Sequence, residues 1–207
     1  MHKGSQGIDF AYNAKENCSG FPEFLEYYEE SENGMKLVLA DNLALAREKY
    51  IEAIDKTANI YEYARWEYGL HPRDDLLQAY MDEDALFLYM DGENVVGLAA
   101  VLMYQGSDYE PIEWKEKLEN DEVVSIHILT TCPEYQRKGV AGKMIGDIIE
   151  LARARGKKSV RLDTLRTNTP AQAMYSKLGF KLMGSVVAPL DKSPELAEFL
   201  YYEYALD

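Results

Sequence analysis

The segment 123–164 constrains the fold of this 207-residue chain more than any other. Residues 123–129 form an apolar run that is typical of a strand, and residues 159–164 form a second one. Between them, residues 139–155 repeat apolar side chains at helical spacing. Two strands joined by such a helix pair in parallel within one sheet, through a right-handed crossover. The segment therefore predicts a βαβ unit within an α/β domain.

The loop between this strand and this helix is short, basic and contains glycine. Residues 133–142 read PEYQRKGVAG. A helix N-terminus offers free N–H groups and positive potential to an anion. Gly139 lets the backbone approach a phosphate closely, and Ala141 adds only one methyl group. Three cationic side chains belong to the same turn: Arg137, Lys138 and Lys143. The loop predicts a phosphate site, and an ordinary basic helix start is the alternative.

Charge is distributed unevenly along the chain. The net charge is −14, which argues against a general nucleic-acid-binding surface. Residues 137–161 nevertheless carry eight basic and two acidic side chains, a net +6, so the remainder carries −20. We expect a polyanionic ligand to be attracted to residues 137–161, and a cationic substrate to the acidic remainder.

Several classes of protein are disfavoured by the sequence. No apolar run is long enough to span a bilayer, and the first residues lack the apolar core of a signal peptide, so we expect a cytoplasmic protein without a membrane partner. Cys18 and Cys132 are too few for a disulfide framework. No HExxH or CxxC motif is present, and we expect no metal site.

Patterns along the rest of the chain predict one domain over residues 35–207, preceded by an extension of unknown role at residues 1–34. Strands are predicted over residues 35–39, 86–90, 95–104, 123–130, 159–164, 180–187 and 198–204. Helices are predicted over residues 42–58, capped by Asp41, over 60–68, from 74 to 80, and over 139–155 and 170–178. The charged stretch 105–122 is interpreted as a solvated loop with a short helix, and a substrate-contacting lid is the alternative. This order predicts a mixed sheet with helices packed on it.

Two motifs carry a resemblance to a known family. The spacing Gln136-x-x-Gly139-x-Ala141 resembles the Q/R-x-x-G-x-G/A signature of the GNAT superfamily of N-acetyltransferases. Residues 168–180 read NTPAQAMYSKLGF and are similar to that family's N-x-x-A-x-x-x-Y-x-x-x-G-F pattern, about thirty residues later as in the family. The resemblance covers roughly residues 35–206. It implies an α/β (α+β) fold, with a mixed, mostly antiparallel sheet of six to seven strands, helices on both faces and two splayed central strands.

The resemblance implies acetyl-CoA as co-substrate, with its pyrophosphate on the basic loop and its pantetheine arm along the end of the strand that begins at Val123. Backbone groups at the strand end would pair with the arm and polarise the thioester carbonyl. The implied cofactor-binding residues are Leu129, Thr130, Thr131, Gln136, Arg137, Lys138, Gly139, Val140, Ala141, Gly142, Lys143, Asn168 and Tyr175. No metal is implied.

The general acid is also assigned through the resemblance. Tyr175 matches the family's tyrosine near the sulfur of CoA, which usually protonates the leaving thiolate. A phenol suits this role because its reference pKa of about 10 is comparable to that of a thiol. A half-buried aromatic residue on an amphipathic helix is the alternative role for Tyr175. Asn168 is interpreted as a pantetheine ligand, as a helix N-cap, or as both.

The general base is left open between several groups. Ser125 stands where the family often has a strand glutamate, and His127 faces the same side two residues later. Histidine suits proton transfer near neutral pH, so His127 is a candidate catalytic residue. Asp163, at a position where some members carry an acid, is another, and Glu122 or a water chain are further alternatives. The family's direct transfer disfavours a nucleophilic Cys132.

The sequence thus predicts an acetyl-CoA-dependent N-acetyltransferase that moves an acetyl group to a primary amine of a small molecule or peptide, as a monomer or homodimer. Four aromatic residues are expected to line the acceptor site or to pack in the core: Tyr61, Tyr63, Trp66 and Tyr68. One alternative is a catalytically degenerate CoA-binding regulatory or interaction protein. Another is an interaction module that uses residues 1–34 as a pairing arm.

Overall fold

A computed structural model describes residues 34–206 of the chain. Apart from Gly34, the extension predicted at residues 1–34 lies outside the described residues. Within the described range, no helix is long and apolar enough to cross a membrane.

Seven strands form one mixed sheet in the order β1-β2-β3-β4-β5-β7-β6. Every neighbouring pair is antiparallel except β4 and β5, which are parallel. The strands are β1 (Met35–Leu39), β2 (Leu86–Asp91), β3 (Asn94–Leu102), β4 (Val123–Thr131), β5 (Ser159–Leu165), β6 (Lys181–Pro189) and β7 (Leu196–Ala205). The predicted mixed, mostly antiparallel sheet is confirmed.

Within residues 34–206, five α-helices cover both faces of this sheet. They are α1 (Leu43–Lys56), α2 (Ile60–Ala64), α3 (Asp74–Asp82), α4 (Val140–Ala154) and α5 (Thr169–Lys177). Buried residues of α1 and α3, such as Tyr50 and Leu77, pack with Leu98 and Ile128 of the sheet. Side chains of α4 and α5 form a second core with the opposite face of β3, β4 and β5. The predicted two-sided arrangement is confirmed.

The start of α1 and the end of α2 differ from the prediction for reasons that the backbone shows. The N-cap of α1 is Asn42 and not Asp41, because the Asn42 side chain accepts a hydrogen bond of 3.1 Å from the Leu45 N–H. Helix α2 ends at Ala64, four residues before the predicted end. Arg65 adopts a left-handed conformation (φ 56°) and its N–H bonds the Tyr61 carbonyl, which closes the last turn.

The parallel pair at the centre of the sheet separates part of the way along. Strand β4 pairs with β5 only from Val123↔Ser159 to Ile126↔Leu162. Residues 127–131 of β4 continue to pair with β3 alone. The predicted splay of the two central strands is thereby confirmed, and one edge of β4 is left without a strand partner.

A β-bulge occurs in β4 where the splay begins. Ala99 of β3 lies opposite two residues of β4, Ile128 and Leu129. Ile128 takes a φ of 44°, which is rare for a β-branched residue. The buried Tyr50 hydroxyl donates a 2.8 Å hydrogen bond to the Ile128 carbonyl and holds the bulge in place. Helix α1 therefore fixes the local geometry of the splayed strand.

The stretch 105–122 contains short 3₁₀ helices and many exposed charged residues, as its interpretation from sequence predicts, but its aromatic side chains are packed. Tyr109 and Ile112 are buried against Tyr201 of β7, and Trp114 stacks on Tyr109 with centroids 5.9 Å apart. Apolar side chains at 109, 112 and 114 are separated by charged residues, which conceals them in the sequence. The segment covers the sheet on the same side as α1 and α3, beside the splay.

Candidate functional site

The unpaired edge of β4 offers backbone hydrogen-bonding groups. The Cys132 N–H donates to the Val96 carbonyl of β3 at 3.0 Å. Successive peptide groups of a strand point to opposite edges. The peptide groups of Thr131 and Leu129 therefore face the gap, whereas that of Thr130 faces β3. An extended polar ligand that enters the gap would meet the backbone groups of Leu129 and the N–H of Thr131, whereas the Thr131 carbonyl already accepts a hydrogen bond from the Gln136 side chain.

The loop after β4 ends at the N-terminus of α4, which no side chain caps. Arg137 and Gly139 both take positive φ angles, 59° and 82°. Gly139 is the N-cap of α4, and no side chain caps the helix. The N–H groups of the first turn therefore lack intrahelical acceptors. Such a turn binds a phosphate through its main chain.

Gln136 connects this loop to α1. Its side-chain amide donates to Thr57 Oγ1 at 2.6 Å and to the Thr131 carbonyl at 3.3 Å. Thr57 is the C-cap of α1. Both hydrogen bonds of the Gln136 side chain are made within the protein, and they position the loop. Only the backbone of Gln136 is then available for the predicted contact with the cofactor.

The cationic side chains of the loop remain exposed. Within residues 34–206, no carboxylate forms an ion pair with Arg137, Lys138 or Lys143. The Lys138 ammonium lies 5.5 Å from the ring centroid of Tyr135. All three can therefore approach a polyanion without first breaking an ion pair.

Helix α5 and its N-cap contain two of the predicted site residues. Asn168 is its N-cap and accepts a 3.3 Å hydrogen bond from the Ala171 N–H. Tyr175 is buried, with its ring against Phe180 and Tyr202 at 6.0 and 5.7 Å. Its hydroxyl bonds no described residue but is not sealed from solvent. Burial, with the Asp163 charge as a second cause, raises the pKa of Tyr175, so the phenol keeps its proton at neutral pH.

His127 lies at the start of the splay on the face covered by the 105–122 segment. Its ring stacks on Tyr80 (centroids 6.4 Å apart) and meets Tyr109 edge-on (5.8 Å). Its Nε2 lies 3.3 Å from Ser125 Oγ, and Ser125 is fully buried. The two β4 side chains therefore share a face, as the alternation predicts.

Two carboxylates stand near this histidine. Asp163 of β5 accepts a 3.0 Å hydrogen bond from the Tyr109 hydroxyl. Burial raises the pKa of Asp108, while the nearby His127 lowers it and Asp163 raises it. Burial raises the pKa of the Tyr201 hydroxyl, and the charges of both carboxylates raise it further. Surroundings of two carboxylates and tyrosine rings suit a cationic ligand.

Two alternatives for the chemistry are disfavoured by their surroundings. Glu122 precedes β4, at the end far from the bulge, and forms a short ion pair with Lys158 that lowers its pKa. Cys132 is completely buried, and burial raises the pKa of its thiol to about 11. A thiol that stays protonated is a poor nucleophile.

The aromatic residues predicted for the acceptor side have mostly structural contacts. Trp66 packs on Tyr50, with centroids 6.0 Å apart, and the Tyr68 hydroxyl donates to Asp74 at 2.6 Å. Tyr80 and Tyr109 contact His127 instead. Sequence reasoning missed Tyr80, which reads as an ordinary helix residue, and considered Tyr109 only within the alternative of a substrate-contacting lid.

Comparison with known proteins identifies the family to which this architecture corresponds. Residues 51–180 match the model of the acetyltransferase (GNAT) family, which is more than half of the chain. A mycothiol acetyltransferase of Corynebacterium glutamicum is 32% identical over 108 residues, which are 52% of this chain and 32% of that protein. The chain therefore spans only about a third of the length of this relative.

Solved structures share the fold at low identity. A GNAT acetyltransferase from Streptococcus agalactiae superposes with a TM-score of 0.64 and 18% identity, over 84% of this chain and 96% of its own. YncA of Salmonella typhimurium, a putative acetyltransferase crystallised with acetyl-CoA, gives a TM-score of 0.59 and 19% identity, over 84% and 94%. These similarities establish the fold.

Proposed function

This chain belongs to the acetyltransferase (GNAT) family, and from that premise we propose that it transfers an acetyl group from acetyl-CoA to a primary amine by direct attack. One observation carries the proposal: the free edge of β4 runs from the splay into the uncapped, glycine-opened N-terminus of α4. An extended thioester with a pyrophosphate needs this combination of strand-like pairing and phosphate-binding amides.

The residues would divide the work as follows. The first-turn amides of α4 hold the pyrophosphate, helped by the side chains of Arg137, Lys138 and Lys143. The peptide groups of Leu129 and Thr131 pair with the pantetheine arm and polarise the thioester carbonyl. Most of the acceleration then comes from holding the thioester and the amine together in the splay.

Two further residues would handle the protons. His127 accepts the proton that the attacking amine gives up. Tyr175 donates its phenolic proton to the departing thiolate. Burial raises the pKa of this phenol, which keeps it protonated at neutral pH but also makes it a weaker acid than a free tyrosine. The Asp163 carboxylate accepts a hydrogen bond from Tyr109 and would add negative charge near His127; it would not be the primary base.

The acceptor that we propose is a cationic amine of a small molecule or peptide. Asp108 and Asp163 supply negative charge beside His127, and Tyr80 and Tyr109 supply aromatic rings. The Arg161 guanidinium on the same face is already neutralised by Glu203. The pocket therefore offers an ammonium group both charge and cation–π contacts.

Asp108→Asn is expected to raise the KM for the amine about tenfold, with little change in the KM for acetyl-CoA, because one attractive charge is lost from the acceptor pocket only. Initial rates with each substrate varied in turn measure this. Glu110→Gln on the same segment is the matched control, since Glu110 is exposed. Equal effects of the two substitutions would show that only general charge matters.

Gly139→Val is expected to weaken acetyl-CoA binding about tenfold or more. Its φ of 82° disfavours a β-branched residue by about 1–2 kcal/mol, so the turn shifts and its amides move off the phosphate. Isothermal titration calorimetry measures the loss. Gly146→Ala, in the interior of α4 where an added methyl meets nothing within 4 Å, is the control and should bind normally. Normal binding by Gly139→Val would remove the loop from the phosphate site.

The proposed function is tested by two measurements on the full chain. Isothermal titration with acetyl-CoA should show binding, and an absence of binding would leave only an interaction module. A thiol-release assay over a panel of polyamines, aminoglycosides, amino-acid derivatives and lysine peptides should then show turnover with a cationic amine. Binding without turnover across the panel would favour the degenerate CoA-binding protein.

A further inference from the structure

The hydrogen bonds of Ser125 determine which nitrogen of His127 carries a proton. Ser125 Oγ lies 2.7 Å from the Tyr104 carbonyl, which can only accept, so the hydroxyl donates its one proton there. Its second contact, 3.3 Å to His127 Nε2, must then use an oxygen lone pair. Nε2 therefore carries the hydrogen, and in the neutral imidazole the lone pair lies on Nδ1.

The ring of His127 is also fixed in orientation. Tyr80 stacks on one face at an interplanar angle of 19°, and Tyr109 meets the ring at 80°. No hydrogen bond joins Nδ1 to any of the residues 34–206. The acceptor nitrogen is thus left for an incoming group, while the donor nitrogen is tied to the strand.

We propose that Ser125 is a positioning residue that holds neutral His127 in the Nε2–H tautomer, so that Nδ1 receives the proton of the amine. The relay runs from Nε2–H to Ser125 Oγ, and from the Ser125 hydroxyl to the Tyr104 carbonyl. The resemblance leads us to expect a carboxylate base at position 125. This chain has Ser125 there instead, and its hydroxyl orients His127, the base two residues later.

The proton transfer fits a balanced reaction. The substrate ammonium first loses one proton to water, and the neutral amine nitrogen then forms a bond to the acetyl carbon and passes a second proton to Nδ1 of His127. The carbon–sulfur bond breaks, its electron pair goes to sulfur, and sulfur takes the proton of Tyr175. Solvent afterwards removes the proton from His127 and returns one to Tyr175. This use of Nδ1 rests on the proposed function, whereas the tautomer itself is a property of the free protein.

The tautomer can be measured directly by long-range ¹H–¹⁵N NMR on the wild-type chain, which has three histidines. His127→Gln assigns its signals, and the spectra are recorded at alkaline pH, where the ring signals no longer change with pH. We expect only the Nε2–H form in the wild type and a mixture of both forms in Ser125→Ala. Equal Nδ1–H populations in the two proteins would overturn the proposal.

Kinetics separates positioning from a structural role. Ser125→Ala should lower kcat about 3- to 10-fold, the effect of losing one hydrogen bond, with the KM for acetyl-CoA unchanged. Ser125→Thr keeps the hydroxyl and should recover both the tautomer and most of kcat. If Ser125→Ala lost its tautomer preference but kept full kcat, Nδ1 would not be the proton acceptor. A wild-type chain inert toward every amine would refute the proposed function alone, because the NMR result would still decide the tautomer.

Discussion

Replacing Tyr175 with phenylalanine is expected to lower kcat by about 10²- to 10⁴-fold, the usual contribution of a positioned general acid. The ring should keep its place, because its contacts with Phe180 and Tyr202 involve ring atoms alone. The hydroxyl bonds no described residue, so its removal leaves no described partner unsatisfied. Affinity for acetyl-CoA should therefore stay nearly constant. Thiol release and calorimetric titration measure the two quantities.

Tyr202→Phe is the matched control for this experiment. Tyr202 is a buried phenol in edge contact with the Tyr175 ring, but it belongs to β7 and not to the proposed site. Its substitution should change kcat less than about twofold, as expected for a residue away from the chemistry. A large loss of acetyl-CoA affinity in Tyr175→Phe, with kcat retained, would instead make Tyr175 a binding residue.

The parts of the fold that depend on local patterns were predictable from the sequence. The amphipathic stretch 139–155 became α4 within one residue at each end, because its buried side chains recur at helical spacing. The parallel pairing of β4 and β5 follows from the crossover connection. The glycine turn before α4 was placed correctly, because Gly139 takes the positive φ that such a turn requires.

The acceptor side was not predictable, because it depends on contacts between distant segments. Tyr109 joins the site only because the 105–122 segment folds onto β5 and β7, and Tyr80 only because α3 packs beside β4. The bulge at Ile128 is equally hidden, since its hydrogen-bond partner Tyr50 is 78 residues away. No periodicity in one sequence records such pairings.

The proposed base, His127, gains support from hydrogen bonds that the sequence does not reveal. From sequence, Ser125 counted against catalysis, because a serine cannot replace a glutamate as base. In the structure its hydroxyl donates to the Tyr104 carbonyl, and its oxygen lies 3.3 Å from His127 Nε2. The same serine therefore supports the assignment of His127, for which the sequence offered only strand alternation.

The buried ion pair beneath the 105–122 segment is expected to give the largest change in stability. Arg161, with 1% of its side chain exposed, donates from Nε and Nη2 to Glu203 Oε1 at 3.0 and 2.8 Å. Its guanidinium carbon also lies 3.9 Å from the centroid of the Trp114 ring, and Nη1 donates to Gln105. One guanidinium thus joins β5, β7 and the segment that carries Asp108 and Tyr109.

Arg161→Met should lower the free energy of unfolding by about 3–5 kcal/mol, because it leaves the Glu203 carboxylate buried without its cation. The double substitution Arg161→Met with Glu203→Leu should recover most of that loss, since two apolar groups leave no charge to desolvate. Urea unfolding of the three proteins measures both effects. Lys158→Met, at an ion pair whose lysine is 58% exposed, is the control and should cost less than about 1 kcal/mol.

The double variant also separates stability from function at the acceptor pocket. It would restore the sheet but not the cation–π contact with Trp114 or the bond to Gln105, so the 105–122 segment should stay poorly held. We therefore expect a raised KM for the amine, an unchanged KM for acetyl-CoA, and nearly native stability. If the single variant were as stable as the double one, Glu203 would have taken up a proton or reached solvent, and the pair would not be what anchors the segment.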